Sequence, residues 1–177
     1  KEDTKQVDTQ DDANDDAPME PIFSFAIIAD PHISTKNSHY DRAQKAIEWL
    51  NSNAKARQIE LVFILGDIGW HEGLVMARDL FKTLAIPYFP IIGDNEIQNG
   101  DQDEAFDQAY STYIDGFSSQ YANFKRAKLP INNPEISGPS WFQNYSFDYK
   151  GIHFVALDFN NRSKDKSAGR FVSEQGQ

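Results

Sequence analysis

The sequence predicts an α/β fold with a mainly parallel β-sheet, and two observations support this prediction. From residue 22 onward, short runs of β-branched and aromatic residues alternate with amphipathic segments of helical period. Three of these apolar runs also end in an acidic residue, at Asp30, Asp67 and Asp94. Because strands that alternate with helices form right-handed βαβ units, we expect the strands to lie parallel and to end at one edge of the sheet.

The first strand, the first helix and the second strand are predicted between residues 22 and 65. Residues 22–29, IFSFAIIA, form an apolar run of strand length. A helix is expected over residues 40–57, where small and aliphatic residues recur at helical spacing: Ala43, Ala46, Ile47 and Leu50. Residues 59–65, IELVFIL, are apolar almost throughout, which predicts a fully buried strand.

The next segments continue the alternation. Residues 72–84 predict a second helix with one apolar face, made by Leu74, Ala77, Leu80, Phe81 and Leu84. Residues 86–92, IPYFPII, predict a third strand in which the prolines allow only partial ladder pairing. Residues 102–124 are rich in polar and aromatic residues, and we expect one or two helices there whose rings pack on the sheet.

A β-hairpin is predicted near the end of the sequence. Its first arm alternates Trp141, Gln143, Tyr145 and Phe147, and a Tyr-Lys-Gly turn follows. The second arm, from Ile152 to Leu157, is predicted to be a buried strand. Asp158 follows that strand and is expected to cap or support the next loop.

Composition limits the classes of protein that this sequence can encode. With 177 residues, 40% of them hydrophobic, the chain can bury one ordinary core. The absence of cysteine excludes disulfides, thiol catalysis and Cys-based zinc sites. The formal net charge is −10, and no basic stripe for a phosphate backbone is present, so we predict no nucleic-acid partner.

Residues 1–20 form an acidic leader with eight acidic residues and two lysines. Such a segment buries too little apolar surface to offset the entropy cost of ordering, so we predict that it is disordered and that residues 21–177 form the domain. The chain starts at Lys1 rather than Met, which suggests a removed secretion signal, a periplasmic or extracellular location and a possible membrane tether upstream. An arbitrary boundary explains the same start equally well, and a cytoplasmic location stays open.

The acidic strand ends predict a metal site. In an open parallel sheet the functional crevice lies outside the carboxyl ends of the strands, where Asp30, Asp67 and Asp94 would converge. Three carboxylates in a pocket of low dielectric constant repel one another unless a cation lies between them. His32 follows Asp30 by two residues, so in an extended segment both side chains would point to the same side.

The residue types indicate which metals suit this site. Carboxylate oxygen together with imidazole nitrogen suits Zn, Fe or Mn better than Ca or Mg, which prefer oxygen ligands alone. A single Asp after a strand is commonly a helix N-cap. Capping does not explain three such residues together with a D-x-H pair.

These motifs resemble those of the calcineurin-like metallophosphoesterases. In that family one strand ends in D-x-H, the next in G-D and a third in G-N-H followed by Asp or Glu. Here the three motifs read Asp30 and His32, Gly66 and Asp67, and the run Gly93-Asp94-Asn95-Glu96. The resemblance implies a four-layer α/β/β/α sandwich and two divalent or trivalent metal ions, with Fe, Zn or Mn expected.

The resemblance also implies roles for single residues. Asp30 and His32 would bind the first ion, Asp67 would bridge both ions, and Asp94 would take the place of the second ion's usual Asn ligand. A metal-bound hydroxide would then hydrolyse a small phosphoester, as in phosphatases and phosphodiesterases. Asn95 occupies the position of the family's leaving-group His, so we predict a catalytic role in which it donates a hydrogen bond but delivers no proton. In an alternative register, Asn95 is the ligand and Asp94 an N-cap.

The end of the sequence departs from the family pattern. In the family, a segment similar to Ser173-Glu174-Gln175 opens a helix, and a strand ending in His and a Gly-His-x-His motif follow. This sequence contains no such later histidines, and His39, His71 and His153 lie at predicted loop or strand positions. We therefore expect an N-terminal part of the sandwich that is inactive by itself. The alternative is a non-catalytic member that binds metal or acts as a scaffold.

Overall fold

A computed structural model describes residues 22–35, 37–97, 102–134, 137–160 and 162. The N-terminal part contains β1 (Ser24–Ala29), α1 (Asn37–Asn53), β2 (Ile59–Leu65), α2 (Glu72–Phe81), β3 (Tyr88–Ile91) and α3 (Gln102–Asp115). The remainder contains β4 (Ala122–Arg126), β5 (Ile131–Asn133), β6 (Gly138–Ser140), β7 (Tyr145–Tyr149) and β8 (Ile152–Ala156). This mixed α/β arrangement, with parallel and antiparallel sheets, confirms the predicted fold class.

The first sheet is parallel and has the strand order β1-β2-β3. Pro90 lies inside β3 opposite Ile64, and the ladder between β2 and β3 runs for only four residue pairs. Val62 and Ile64 are fully buried on one face of β2, and Phe63 is buried on the other. Both faces of β2 are therefore covered, as the continuous apolar run predicts.

The second sheet is antiparallel, with the order β4-β7-β8, and β5 and β6 form a separate two-stranded sheet. Aromatic rings stack between the two main sheets. The ring centroids of Phe89 and Phe147 lie 4.4 Å apart, and those of Phe63 and Phe154 lie 5.4 Å apart. These contacts join one face of the parallel sheet to the hairpin, so the two sheets form the central layers of a sandwich.

The helices begin and end at slightly different residues than the periodicity predicts. α1 starts at Asn37, which places His39 in its first turn rather than in the preceding loop. It ends at Asn53 because a 3₁₀ turn, Lys55–Arg57, and a left-handed Gln58 lead directly into β2. The sequence predicts one or two helices over residues 102–124. In the structure α3 ends at Asp115, and the last residues of this segment belong to β4, which starts at Ala122.

The prediction that residues 152–157 form a buried strand is wrong. β8 pairs only with β7 within the described part of the chain, and Val155 is 55% exposed. An apolar run shows that a strand forms but not which neighbours cover it. β1 is likewise an edge strand of the described sheet, and Ile27 is 56% exposed.

Asp158 has the supporting role expected of it. Its carboxylate accepts a hydrogen bond from the Gln143 backbone N–H at 3.0 Å and pairs with both terminal nitrogens of Arg162 at 2.7 Å. The acidic leader and the Ser-Glu-Gln segment lie outside the described residues, so their predictions stay predictions. None of the described helices has the length and apolar character needed to cross a membrane.

Candidate metal centre

The loops that follow β1, β2 and β3 lie side by side at one edge of the parallel sheet. The backbone N–H of His32 donates to the carbonyl of Asp67 at 2.9 Å, and that of Ile33 donates to Ile68 at 2.8 Å. Gly66 N–H donates in the same way to the carbonyl of Ile91 at 2.8 Å. The three loops therefore continue the register of the sheet beyond its last residues and bring the predicted motifs together.

Three of the predicted ligands form a compact cluster. One ligand atom from each of Asp30, His32 and Asp67 lies within 4.8 Å of the others. His32 Nε2 faces Asp67 Oδ2 at 3.7 Å. Asp30 is exposed, whereas the other two residues are half-buried. Two carboxylates and one imidazole that converge from two loops can hold a transition-metal ion.

The backbone at this cluster has an unusual conformation. Asp30, His32 and Asp67 all have positive φ, at 48°, 47° and 48°. Non-glycine residues rarely adopt this left-handed region, and such residues cost about 1–3 kcal/mol each and gather at functional sites. Residues 30–32 are therefore not the extended segment from which we inferred that Asp30 and His32 share a side. The left-handed turns bring these side chains together instead.

Asp94 lies against Asp67. Its carboxyl group is near enough to that of Asp67 to affect the pKa of Asp67. Burial raises the pKa of Asp67 above its usual value, and the Asp94 carboxylate raises it further, while the backbone N–H of Asn95 acts in the opposite direction. Asp94 is not part of the three-residue cluster, and its role as a ligand stays a prediction. A cation there would relieve the repulsion that raises this pKa.

The two glycines before the acids allow the loops to approach closely. A Cβ on Gly93 would lie 2.2 Å from the Asp67 backbone nitrogen and 2.4 Å from Asp67 Oδ1. Gly66 has φ +60°, and its Cβ would lie 2.9 Å from the Cα of Gly93. Side chains at either position would push apart the loops that carry Asp67 and Asp94.

Glu96 joins two of these loops, a role that sequence reasoning did not assign. Its fully buried carboxylate accepts hydrogen bonds from the backbone N–H groups of Gly69 at 3.0 Å and Gly93 at 2.8 Å. Burial raises the pKa of Glu96 to about 7, although these N–H groups favour the charged form. The signal in the sequence was an acidic residue three positions after the glycine of the third motif.

The Asn95 side chain contacts His32 at Nδ1, the ring nitrogen that does not face Asp67. The residue is only 6% exposed, and its Nδ2 lies 3.0 Å from His32 Nδ1. Its backbone N–H donates to Asp67 Oδ1 at 3.1 Å. This placement favours Asp94 over Asn95 as the oxygen ligand from this loop. The ligand assignments themselves, like the catalytic role of Asn95, stay predictions.

Other side chains surround the cluster. His39 Nδ1 lies 2.6 Å from the carbonyl oxygen of His32, and the Trp70 ring lies 5.6 Å from the His32 ring. A cavity of about 370 Å³ opens beside Asp30 and His32, with His39 and Arg42 in its wall.

The two other histidines lie at different places in the fold. His71 is exposed and directly precedes α2. His153 lies exposed on β8 beside Asp148, in the second sheet.

Comparison with known proteins gives one match. A family model described as calcineurin-like phosphoesterase matches residues 23–174. No curated protein and no solved structure matches the chain. The matched region contains all three strand-end motifs and the hairpin.

Proposed function

The chain belongs to the calcineurin-like phosphoesterase family, and on that premise we propose that it serves phosphoester hydrolysis through a dinuclear metal centre. The family itself implies metal-dependent hydrolysis of phosphoesters. The observation that carries the finer proposal is the convergence of Asp30, His32 and Asp67, whose ligand atoms lie within 4.8 Å of one another.

The side chains fit a pair of ions. Asp30 and His32 would hold the first ion, Asp67 would bridge both, and Asp94, whose carboxyl group lies near that of Asp67, would hold the second. The mixed nitrogen and oxygen donors suit Fe, Zn or Mn. Bound ions supply Lewis-acid chemistry, activating water and offsetting charge on the phosphoryl oxygens.

The chain's own residues hold the ligands in place. The Asn95 backbone N–H fixes one oxygen of Asp67, which leaves the other, Oδ2, facing His32 Nε2. Glu96 ties the loop of β2 to the loop of β3. Because these partners are buried, the ligand geometry is set before an ion binds, which lowers the reorganisation that binding requires.

A small phosphoester is the substrate class that we propose. The cavity beside Asp30 and His32 has a volume of about 370 Å³, near the lower end of the usual range for small-molecule sites. The Arg42 side chain in its wall is a cation that could pair with a phosphoryl oxygen. An exported location also stays a proposal, supported only by the acidic leader, residues 1–20.

A second function is favoured by one observation. Asn95 stands at the family's proton-handling position, but an amide delivers no proton, and its side chain lies against His32. A member that binds metal without catalysis would tolerate this substitution. The two functions differ in one respect that can be measured: only an enzyme turns over substrate in a manner that depends on the metal ligands.

The test compares Asp67→Asn with a matched substitution far from the site, Asp148→Asn in β7. Both variants are assayed with Mn²⁺ on an aryl phosphomonoester and an aryl phosphodiester, in the full-length protein. We expect Asp67→Asn to lower turnover at least about 100-fold, because outer partners of a metal alone are worth about 10–100-fold. Measurable turnover that is equal in the two variants would contradict the proposed metal ligands, and metal binding without turnover in the parent protein would favour the non-catalytic function.

A further inference from the structure

Asn95 contacts two of the candidate ligands at once. Its backbone N–H donates to Asp67 Oδ1 at 3.1 Å, and its side-chain Nδ2 lies 3.0 Å from His32 Nδ1. Asn95 itself is only 6% exposed, and both contacts are partly buried. The contact to His32 is made on the ring nitrogen opposite to the one that faces Asp67.

The contact at Nδ1 affects which nitrogen of the His32 imidazole carries the proton. A neutral imidazole carries one N–H, so Nε2 can bind an ion only when the proton is on Nδ1. An Nδ1–H in turn needs an acceptor, and metal-binding histidines almost always have one. A carboxamide provides both an acceptor and a donor, and a half-turn of the side chain exchanges Oδ1 and Nδ2.

We infer that Asn95 is a positioning residue for His32, accepting the Nδ1 proton through Oδ1 so that Nε2 is free to face the ion. This inference rests on the proposed metal centre. It differs from the leaving-group role predicted for Asn95, in which the amide must donate a hydrogen bond to substrate. An acceptor role and a donor role respond differently to one substitution.

Asn95→Asp separates the two roles, because a carboxylate accepts the Nδ1 proton but donates nothing. The full chain, Asn95→Ala and Asn95→Asp are titrated with Zn²⁺ in competition with a chelating dye. We expect Asn95→Ala to weaken Zn²⁺ binding about 10–100-fold, the usual effect of removing an outer partner of a ligand. Asn95→Asp is expected to bind at least as tightly as the parent chain.

A second measurement uses the protein without metal. Long-range ¹H–¹⁵N spectra report which ring nitrogen of each His carries the proton. We expect the His32 ring resonances to shift in Asn95→Ala, while those of His153, on β8 in the second sheet, stay in place. Circular dichroism checks that each variant is folded, and Asn95→Asp provides the comparison if the Ala variant is not.

Two results would overturn the inference. One is a Zn²⁺ affinity in Asn95→Ala equal to that of the parent chain together with unchanged His32 resonances. The other is an Asn95→Asp variant that binds as weakly as Asn95→Ala, since the acceptor would then be irrelevant. If the parent chain binds no Zn²⁺ at all, the proposed centre fails, and the spectra still decide whether Asn95 positions His32.

Discussion

Gly93 and Asp67 lie so close together that a Cβ atom on Gly93 would come 2.2 Å from the Asp67 backbone nitrogen. A side chain at position 93 would therefore displace the loop that carries Asp67. Gly93→Ala should destabilise the fold by about 1–3 kcal/mol through overpacking and should weaken metal binding as well. Urea unfolding and a Zn²⁺ titration measure the two effects.

Gly116→Ala is the matched control for Gly93→Ala. A Cβ on Gly116 would come no closer than 3.8 Å to a neighbour, the Gln120 side chain. This variant should keep both the stability and the Zn²⁺ affinity of the parent chain. Equal behaviour of the two variants would show that the close approach of the loops is unimportant.

Asp67 is predicted to bridge two ions, so its removal should affect both. Asp67→Ala is expected to lower metal occupancy at both positions, whereas a ligand to one ion alone would affect one. Elemental analysis of the purified protein gives the number of ions per chain. An unchanged ratio in Asp67→Ala would refute the bridging assignment.

Asn95 is predicted from the family resemblance to act at the leaving group. If it does, Asn95→His should speed hydrolysis of an alkyl phosphate more than that of an activated aryl phosphate, because the alkyl oxygen needs a proton to depart. Each tenfold gain corresponds to about 1.4 kcal/mol of transition-state stabilisation. Steady-state rates on both substrates, in the full-length protein, measure the difference. If Asn95→His changes both rates equally, the leaving-group role is contradicted, and only the inferred positioning of His32 remains for Asn95.

Glu60 links the two sheets and should make stability depend on pH. Glu60 lies in β2, and its carboxylate accepts hydrogen bonds from two residues of the β7–β8 hairpin. The donors are Lys150 Nζ at 2.6 Å and the Tyr149 hydroxyl at 2.5 Å. These partners, Lys150 first, lower the pKa of Glu60 below its usual value of 4.5. The stabilisation is therefore complete above pH 4.5 and is lost as pH falls through the lower pKa of the folded state.

The Glu60→Gln variant tests this dependence. It should be less stable than the parent chain near pH 7, and the difference should shrink as the pH is lowered below 4.5. Urea midpoints measured from pH 3 to pH 7 show the trend. A difference that is constant with pH would mean that the charge of Glu60 does not contribute.

The parts of the fold that local sequence determines were predictable. The run at residues 59–65 forms β2, because its apolar side chains suit a strand that is covered on both faces. Asp30 and Asp67 follow the ends of β1 and β2, as the positions of the apolar runs predict. The exposure of Val155 was not predictable, because it depends on which strands flank β8. Similarly, the start of β4 at Ala122 depends on pairing with β7, which is distant in sequence.

The candidate site likewise has features that could be predicted from the sequence and features that could not. The loops that carry Asp30, His32 and Asp67 lie at one edge of the sheet because the strands are parallel, which the alternation of strands and helices predicts. The contacts of Asn95 with His32 and of Glu96 with Gly69 were not predictable, because these partners lie more than 20 residues away in other loops. The positive φ of Asp30, His32 and Asp67 likewise depends on loop packing, which the local sequence does not show.

The most direct test of the metal centre is the position of the ions themselves. Crystals of the chain grown with Zn²⁺ can be measured on both sides of the zinc absorption edge, so that anomalous difference density locates each ion. We expect a peak about 2.0–2.2 Å from His32 Nε2 and from oxygens of Asp30 and Asp67. A map with no peak among these three residues, in crystals that contain zinc elsewhere, would contradict the account.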